Sequence, residues 1–151
     1  MKPVIVLLSV FALSLLAIFL TIGGFDYSLS GRIAMAAMLG FTAIGHFAFV
    51  KGMTMMMPDF IPFKKEIVYL TSAIELAAAA GLLIPQLRYL AAWLLILFFI
   101  LILPANINAA LKKIDFQKGS TDGAGPSYLW FRVPLQVFFI VWVWFFAISL
   151  P

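Results

Sequence analysis

Five apolar stretches, each long enough to cross a bilayer, take up most of this chain: Val4–Ile22, Ile33–Val50, Ile67–Ile84, Tyr89–Leu111 and Val133–Leu150. A hydrocarbon core about 30 Å thick needs about 20 apolar residues in a helix rising about 1.5 Å per residue. Hydrophobic residues make up 65% of the 151 and charged residues 11%. No soluble domain of this length hides so much apolar surface in one core, so lipid is the expected solvent. The fold class expected is all-α, a polytopic membrane helix bundle. The connecting loops are too short for a second core.

The net charge of +4 would suit an acidic or nucleic-acid partner, but its distribution points to topology instead. Counting Lys and Arg on alternate sides of the five spans, Lys2, Lys51, Lys64, Lys65, Lys112, Lys113, Lys118 and Arg132 fall on one side. Only Arg32 and Arg88 fall on the other. Basic residues accumulate in cytoplasmic loops. The expected location is thus the cell (inner) membrane, multi-pass, with the N-terminus cytoplasmic and the C-terminus outside, and no nucleic acid is expected as a partner. The apolar run after Lys2 exceeds the usual core of a secretory signal and lacks an A-x-A-like site, so it reads as a retained helix.

There is no cysteine and a single histidine. Thiol relays, thiolate metal sites and iron–sulfur clusters are not expected, nor is a haem held by two histidines of one chain. The methionines Met53, Met55, Met56 and Met57 have the soft donors that copper(I) prefers. Without cysteine or a second histidine they read as adaptable packing, and no metal site is expected.

Gly23-Gly24 is expected to end the first helix, with Asp26, Tyr27, Ser28 and Ser30 in a short external turn and Arg32 at the start of the second. That second helix is expected to run past Val50 towards Met57 and stop at Pro58, since prolines 58 and 62 lack an amide donor. Lys64, Lys65 and Glu66 mark the start of the third. The short Pro85-Gln86 turn makes the third and fourth helices an antiparallel hairpin. Residues 118–126, rich in glycine and small polar residues, read as a mobile loop. Ala73, Ala77 and Gly81, and Ala36 with Gly40, lie four apart, a spacing that lets helices approach closely in lipid.

Glu75 is the chemical outlier. A carboxylate halfway along an apolar helix costs at least about 2–3 kcal/mol on insertion scales, so it should face protein or a wet cavity, and the protonated form costs less there. It is a candidate ligand contact or proton-handling group; as interhelical glue it would bond to Thr71 or Ser72 one turn back. His46 and Thr42 share a face near the end of the second helix. Pro104 is expected to kink the fourth helix, and Asn106 and Asn108 project to opposite sides. Arg132 and Gln136 lie one turn apart on the fifth, with Pro134 in the first turn. By topology His46, Asp59, Asn106, Arg132 and Gln136 all belong to one half of the membrane. The ligand-binding candidates are His46, Glu75, Asn106, Arg132 and Gln136; no catalytic residue stands out.

The order Gly45-His46-Phe47, Met57-Pro58 with Pro62, Ile74-Glu75-Leu76 with Gly81-Leu82-Leu83-Ile84-Pro85, Pro104-Ala105-Asn106 and Arg132-Val133-Pro134-Leu135-Gln136 resembles the DoxX-like integral membrane proteins from about Arg32 onward. The resemblance implies a four-helix DoxX-like bundle for residues 32–151, with residues 1–31 adding one N-terminal transmembrane helix and an external turn. It also implies a redox association: a quinone- or lipid-binding membrane subunit of a quinone-linked oxidoreductase, with quinone the possible cofactor and a redox or client membrane protein the partner. The chain itself carries no self-sufficient catalytic motif. The alternative is a non-enzymatic assembly factor or chaperone that packs against other membrane proteins. A small transporter would need an oligomer, since five helices leave a narrow path.

Overall fold

The computed structural model describes residues 2–150, and every regular element among them is a helix: α1 (Lys2–Ile22), α2 (Tyr27–Ala48), α3 (Val50–Met56), α4 (Lys64–Leu83), α5 (Arg88–Leu101), α6 (Leu103–Leu111) and α7 (Leu129–Val143). A 3-10 turn, Gly125–Tyr128, leads into α7, which continues as a π-helical segment, Trp144–Ser149. Five segments are long and apolar enough to cross a membrane: Lys2–Ile22, Tyr27–Ala48, Lys64–Leu83, Arg88–Leu111 and Gly125–Ser149. This all-helical architecture suits a multi-pass membrane protein.

The second helix starts earlier than the sequence reading placed it. Asp26 is its N-cap, its side chain accepting from Leu29 N at 2.8 Å. Ser28 and Ser30 therefore lie in the first turn of α2 and not in an external turn, and a boundary at residue 31 would cut this helix. At its far end α2 breaks at Phe49 (φ −121°, ψ 31°), and a separate short helix, α3, follows where one continuous helix was expected. The break lies just ahead of Gly52, where an added Cβ would land on the backbone carbonyl of Phe116.

Pro104 acts as expected. The chain breaks at Ile102, and the proline occupies the first turn of α6, where its missing N–H has no partner to lose. The segment read as a mobile loop is instead folded onto the bundle. Asp115 Oδ1 accepts from Gln117 N and Lys118 N, Asp115 N donates to Ser120 O, and Gly123 N donates to Lys113 O at 2.7 Å. Phe116 packs edge-on against Phe49, and Gly125 is buried. An aspartate that satisfies successive amides turns the chain locally, and Gly119 supplies the left-handed residue (φ 64°) that follows.

Helix α2 is the central element, packed chiefly on α4 and α1 and on the π-helical end. Its N-terminal turns are tied to the far end of the chain: Trp142 Nε1 donates to Gly31 O at 3.0 Å, and Ser28 Oγ donates to Phe146 O at 3.2 Å. A Cβ on Gly31 would overlap the Phe146 side chain. Leu7, Met35, Met38, Leu39, Leu82, Leu95 and Val143 form the fully buried centre. Outward-facing Leu20, Leu101, Val137 and Val141 are well exposed, an apolar exterior that fits lipid contact.

The small-residue expectation is half corrected. Gly81 does approach α5, its notional Cβ 2.7 Å from Ala91 Cβ, and Ala36 is buried. Ala73 and Ala77 face outward and Gly40 meets open space, because the buried face of α4 runs through Val68, Ser72, Glu75, Ala78 and Leu82.

Candidate functional site

Polar side chains from four helices meet in one cavity of about 710 Å³, bounded by α2, α4, α6 and α7 and floored by the 114–125 segment. Met38, Leu39, Phe98, Phe99, Ile102 and Phe139 form an apolar wall. That is the size range and character of a small-molecule site, apolar with a few placed polar groups.

One polar cluster lies between α2 and α4. Glu75 is 5% exposed and sits on the buried face of α4. Thr42 Oγ1 donates to Glu75 Oε2 at 3.0 Å, and His46 Nδ1 lies 3.4 Å from the same oxygen. His46 Nδ1 is also 2.9 Å from the Thr42 carbonyl. A ring nitrogen at that distance from a carbonyl oxygen must carry the hydrogen, since two acceptors would repel, so the neutral ring holds its lone pair on Nε2. The Thr42 hydroxyl is 3.0 Å from Leu39 O as well. Its single proton serves one acceptor at a time.

The second cluster joins α6 to α7. Asn106 Nδ2 donates to Gln136 Oε1 at 3.1 Å, Gln136 Nε2 donates to Phe99 O, and Arg132 Nε donates to Asn106 Oδ1 at 3.3 Å. The guanidinium stands 5.7 Å from the Tyr128 ring. No carboxylate lies within ion-pair distance of Arg132 among the described residues.

All five residues singled out from the sequence, His46, Glu75, Asn106, Arg132 and Gln136, thus line one cavity. Two neighbouring candidates do not. Asp59 is a surface residue held by Lys64 (3.4 Å) and Lys112 (2.6 Å). Hydrogen bonding to Lys112, then its charge, keeps the Asp59 carboxyl below the usual aspartate range. Asn108 donates to Met56 O at 2.7 Å and so pins α6 to α3.

Glu75 does not bond to its own helix. Thr71 Oγ1 donates to Val68 O and Ser72 Oγ to Ala43 O, which leaves Thr42 of α2 as its partner. The role of Thr42 was missed, although its place one turn before His46 was the available signal. Phe116 and Tyr128 at the loop end of the cavity carried no signal, because only the fold of the 112–128 segment brings them there. No three His, Cys, Asp or Glu side chains gather to hold a metal ion among the described residues.

The ends of the bundle differ in charge. Lys51 lies beside Gly119 and Lys113 beside Gly125, Lys64 and Lys112 share Asp59, and Lys2 lines the cavity at this same end. At the opposite end Arg32 donates to the Leu82 carbonyl that closes α4, and Arg88 opens α5.

Residues 35–147 match a sequence family described as "Domain of unknown function (DUF8561)". No curated protein and no solved structure matches the chain.

Proposed function

The chain belongs to the DUF8561 family, whose description assigns no activity, and from the geometry of its cavity we propose that it binds the polar head of a quinone or similar lipid-like molecule within the membrane. The observation that carries this reading is the joining of two polar clusters, Thr42–His46–Glu75 and Asn106–Arg132–Gln136, by one apolar-walled cavity. A ring or headgroup with oxygens at both ends fits such a chamber, its tail lying along apolar walls. Any turnover is then redox chemistry completed by a partner protein, with this chain as membrane subunit and ligand site.

The same reading takes up the DoxX-like resemblance, with α2 to the C-terminal helix as a four-helix bundle and α1 as an addition. It places the lysine-rich end at the cytoplasmic face of the cell membrane, on the positive-inside rule. A second reading, a non-enzymatic assembly factor, draws on the outward-facing Ala73 and Ala77 of α4, whose small side chains suit close contact with a client helix in lipid.

The test is chemical. The protein is extracted in mild detergent, purified, and its organic extract examined for quinone by mass spectrometry. Quinone at near-equal amount to protein supports the ligand reading; an extract free of quinone and of other lipid-like ligands removes it and favours the client-helix reading. Ala73→Leu with Ala77→Leu should leave the ligand content unchanged in the first case and release a bound client in the second.

A further inference from the structure

The two ends of the cavity differ in hydrogen-bonding sense. At the α6–α7 end Asn106 donates to Gln136 Oε1 and Gln136 donates to Phe99 O. Arg132 uses only Nε, so its two terminal NH2 groups are left as donors without a protein partner among the described residues. At the α2–α4 end the free groups are acceptors. His46 Nδ1–H is committed to the Thr42 carbonyl, which leaves Nε2 of the neutral ring as a lone pair with no protein partner among the described residues. Glu75 engages the protein through Oε2 alone. Oε1 is an acceptor when Glu75 is ionised, and equally when Oε2 holds the proton and donates it to Thr42 Oγ1 while the Thr42 hydroxyl donates to Leu39 O.

We infer that the head group bound here offers a hydroxyl proton to His46 Nε2 or Glu75 Oε1 and an acceptor oxygen to Arg132, so that the cavity prefers a hydroquinol to the corresponding quinone. The inference rests on the ligand reading above and names the form of ligand the site selects. The two molecules differ only in the hydrogens on their oxygens. At the Arg132 end either form offers an acceptor. At the His46 end only the hydroquinol O–H is complementary, while a quinone carbonyl sets a third acceptor against two others. A site built to bond a hydroxyl rejects the analogue without it, because its own buried groups are then left unpaired. One carbonyl-for-hydroxyl mismatch of this kind corresponds to roughly tenfold in affinity.

The test is to titrate the purified full chain, kept anaerobic, with a short-tailed benzoquinone and with its hydroquinol, measuring both dissociation constants by calorimetry. Tighter binding of the hydroquinol by about tenfold is expected, shrinking to about twofold or less in His46→Leu as the hydroquinol affinity falls. Equal affinities, or a preference for the quinone, overturn the inference and leave the ligand reading standing. Binding of neither form overturns both. Because the chain has a single histidine, nitrogen-15 histidine labelling gives an independent readout on the native protein if His46→Leu does not fold. The free protein should show hydrogen on Nδ1, and hydroquinol should move the Nε2 resonance. An Nε2–H tautomer, or an Nε2 signal unmoved at saturation, contradicts the inference.

Discussion

Asn106 and Gln136 are partners across the α6–α7 interface, Nδ2 donating to Oε1 at 3.1 Å with both residues buried. Hydrogen bonds between membrane helices contribute about 0.6 kcal/mol on average and about 1.7 kcal/mol at most, because the separated helices find other partners in the membrane. A double-mutant cycle of Asn106→Leu and Gln136→Leu, read by thermal or denaturant unfolding in detergent, should give a coupling energy of that size. The single substitutions should also free Arg132 or Phe99 O and so cost more than the pair energy alone. Additive effects would mean that the contact does not couple the two helices.

Gly52 faces the backbone carbonyl of Phe116 with no space for a Cβ, whereas Gly40 faces open space. Gly52→Ala should push the 112–124 segment off the bundle, seen as faster amide exchange there and a lower melting temperature. Gly40→Ala, in mid-helix, should be neutral or stabilising by up to about 1 kcal/mol. Equal behaviour of the two variants would show that the loop does not rest on α3.

Asp59 ties Lys64 of α4 to Lys112 beyond α6. Its carboxyl is held below the ordinary aspartate range, chiefly by the Lys112 hydrogen bond, so the tie is complete above the unfolded-chain value of about 3.9 and is lost as pH falls through the lower folded value. The group is exposed and screened by salt, so the effect is local. Proteolysis of the 112–124 segment should increase only in acid below pH 4, or in Asp59→Asn at neutral pH. A loosening centred near pH 6 would belong to another group.

Much of this arrangement was legible in the sequence because lipid simplifies the signal. Each span is a long apolar run, and each polar residue within one stands out. Depth along the helices was enough to group His46, Asn106, Arg132 and Gln136, and the isolation of Glu75 marked it as interior. Azimuth was harder. Ala73 and Ala77 share the spacing of a packing stripe yet face outward, because the buried face of α4 is set by Ser72 and Glu75. The close approaches at Gly31 and Gly52 depend on where the distant Phe146 and Phe116 fall, which no local pattern carries. Asp59, at the right depth but in a connection, went to the surface lysines.

The absence of cysteine makes orientation easy to read. Gln86→Cys and Gln117→Cys introduce single thiols at opposite ends of the bundle, both exposed. In intact cells an impermeant maleimide should label the Gln86 variant and spare the Gln117 variant, with both labelled after permeabilisation. The reverse pattern would invert the proposed topology, and equal labelling in intact cells would break the span count.

The most direct measurement is the ligand content of Glu75→Gln beside that of the native chain, each extracted and purified alike. Glutamine keeps the shape of the side chain but sets an NH2 donor in place of one oxygen, where the hydroquinol hydroxyl needs an acceptor, so folding should persist while retained hydroquinol falls several-fold. Glu75→Ala should lose the ligand and also melt lower, because Thr42 loses its partner. Unchanged ligand content in both variants, with only Glu75→Ala less stable, would show Glu75 to be interhelical glue and would contradict a ligand site in this cavity.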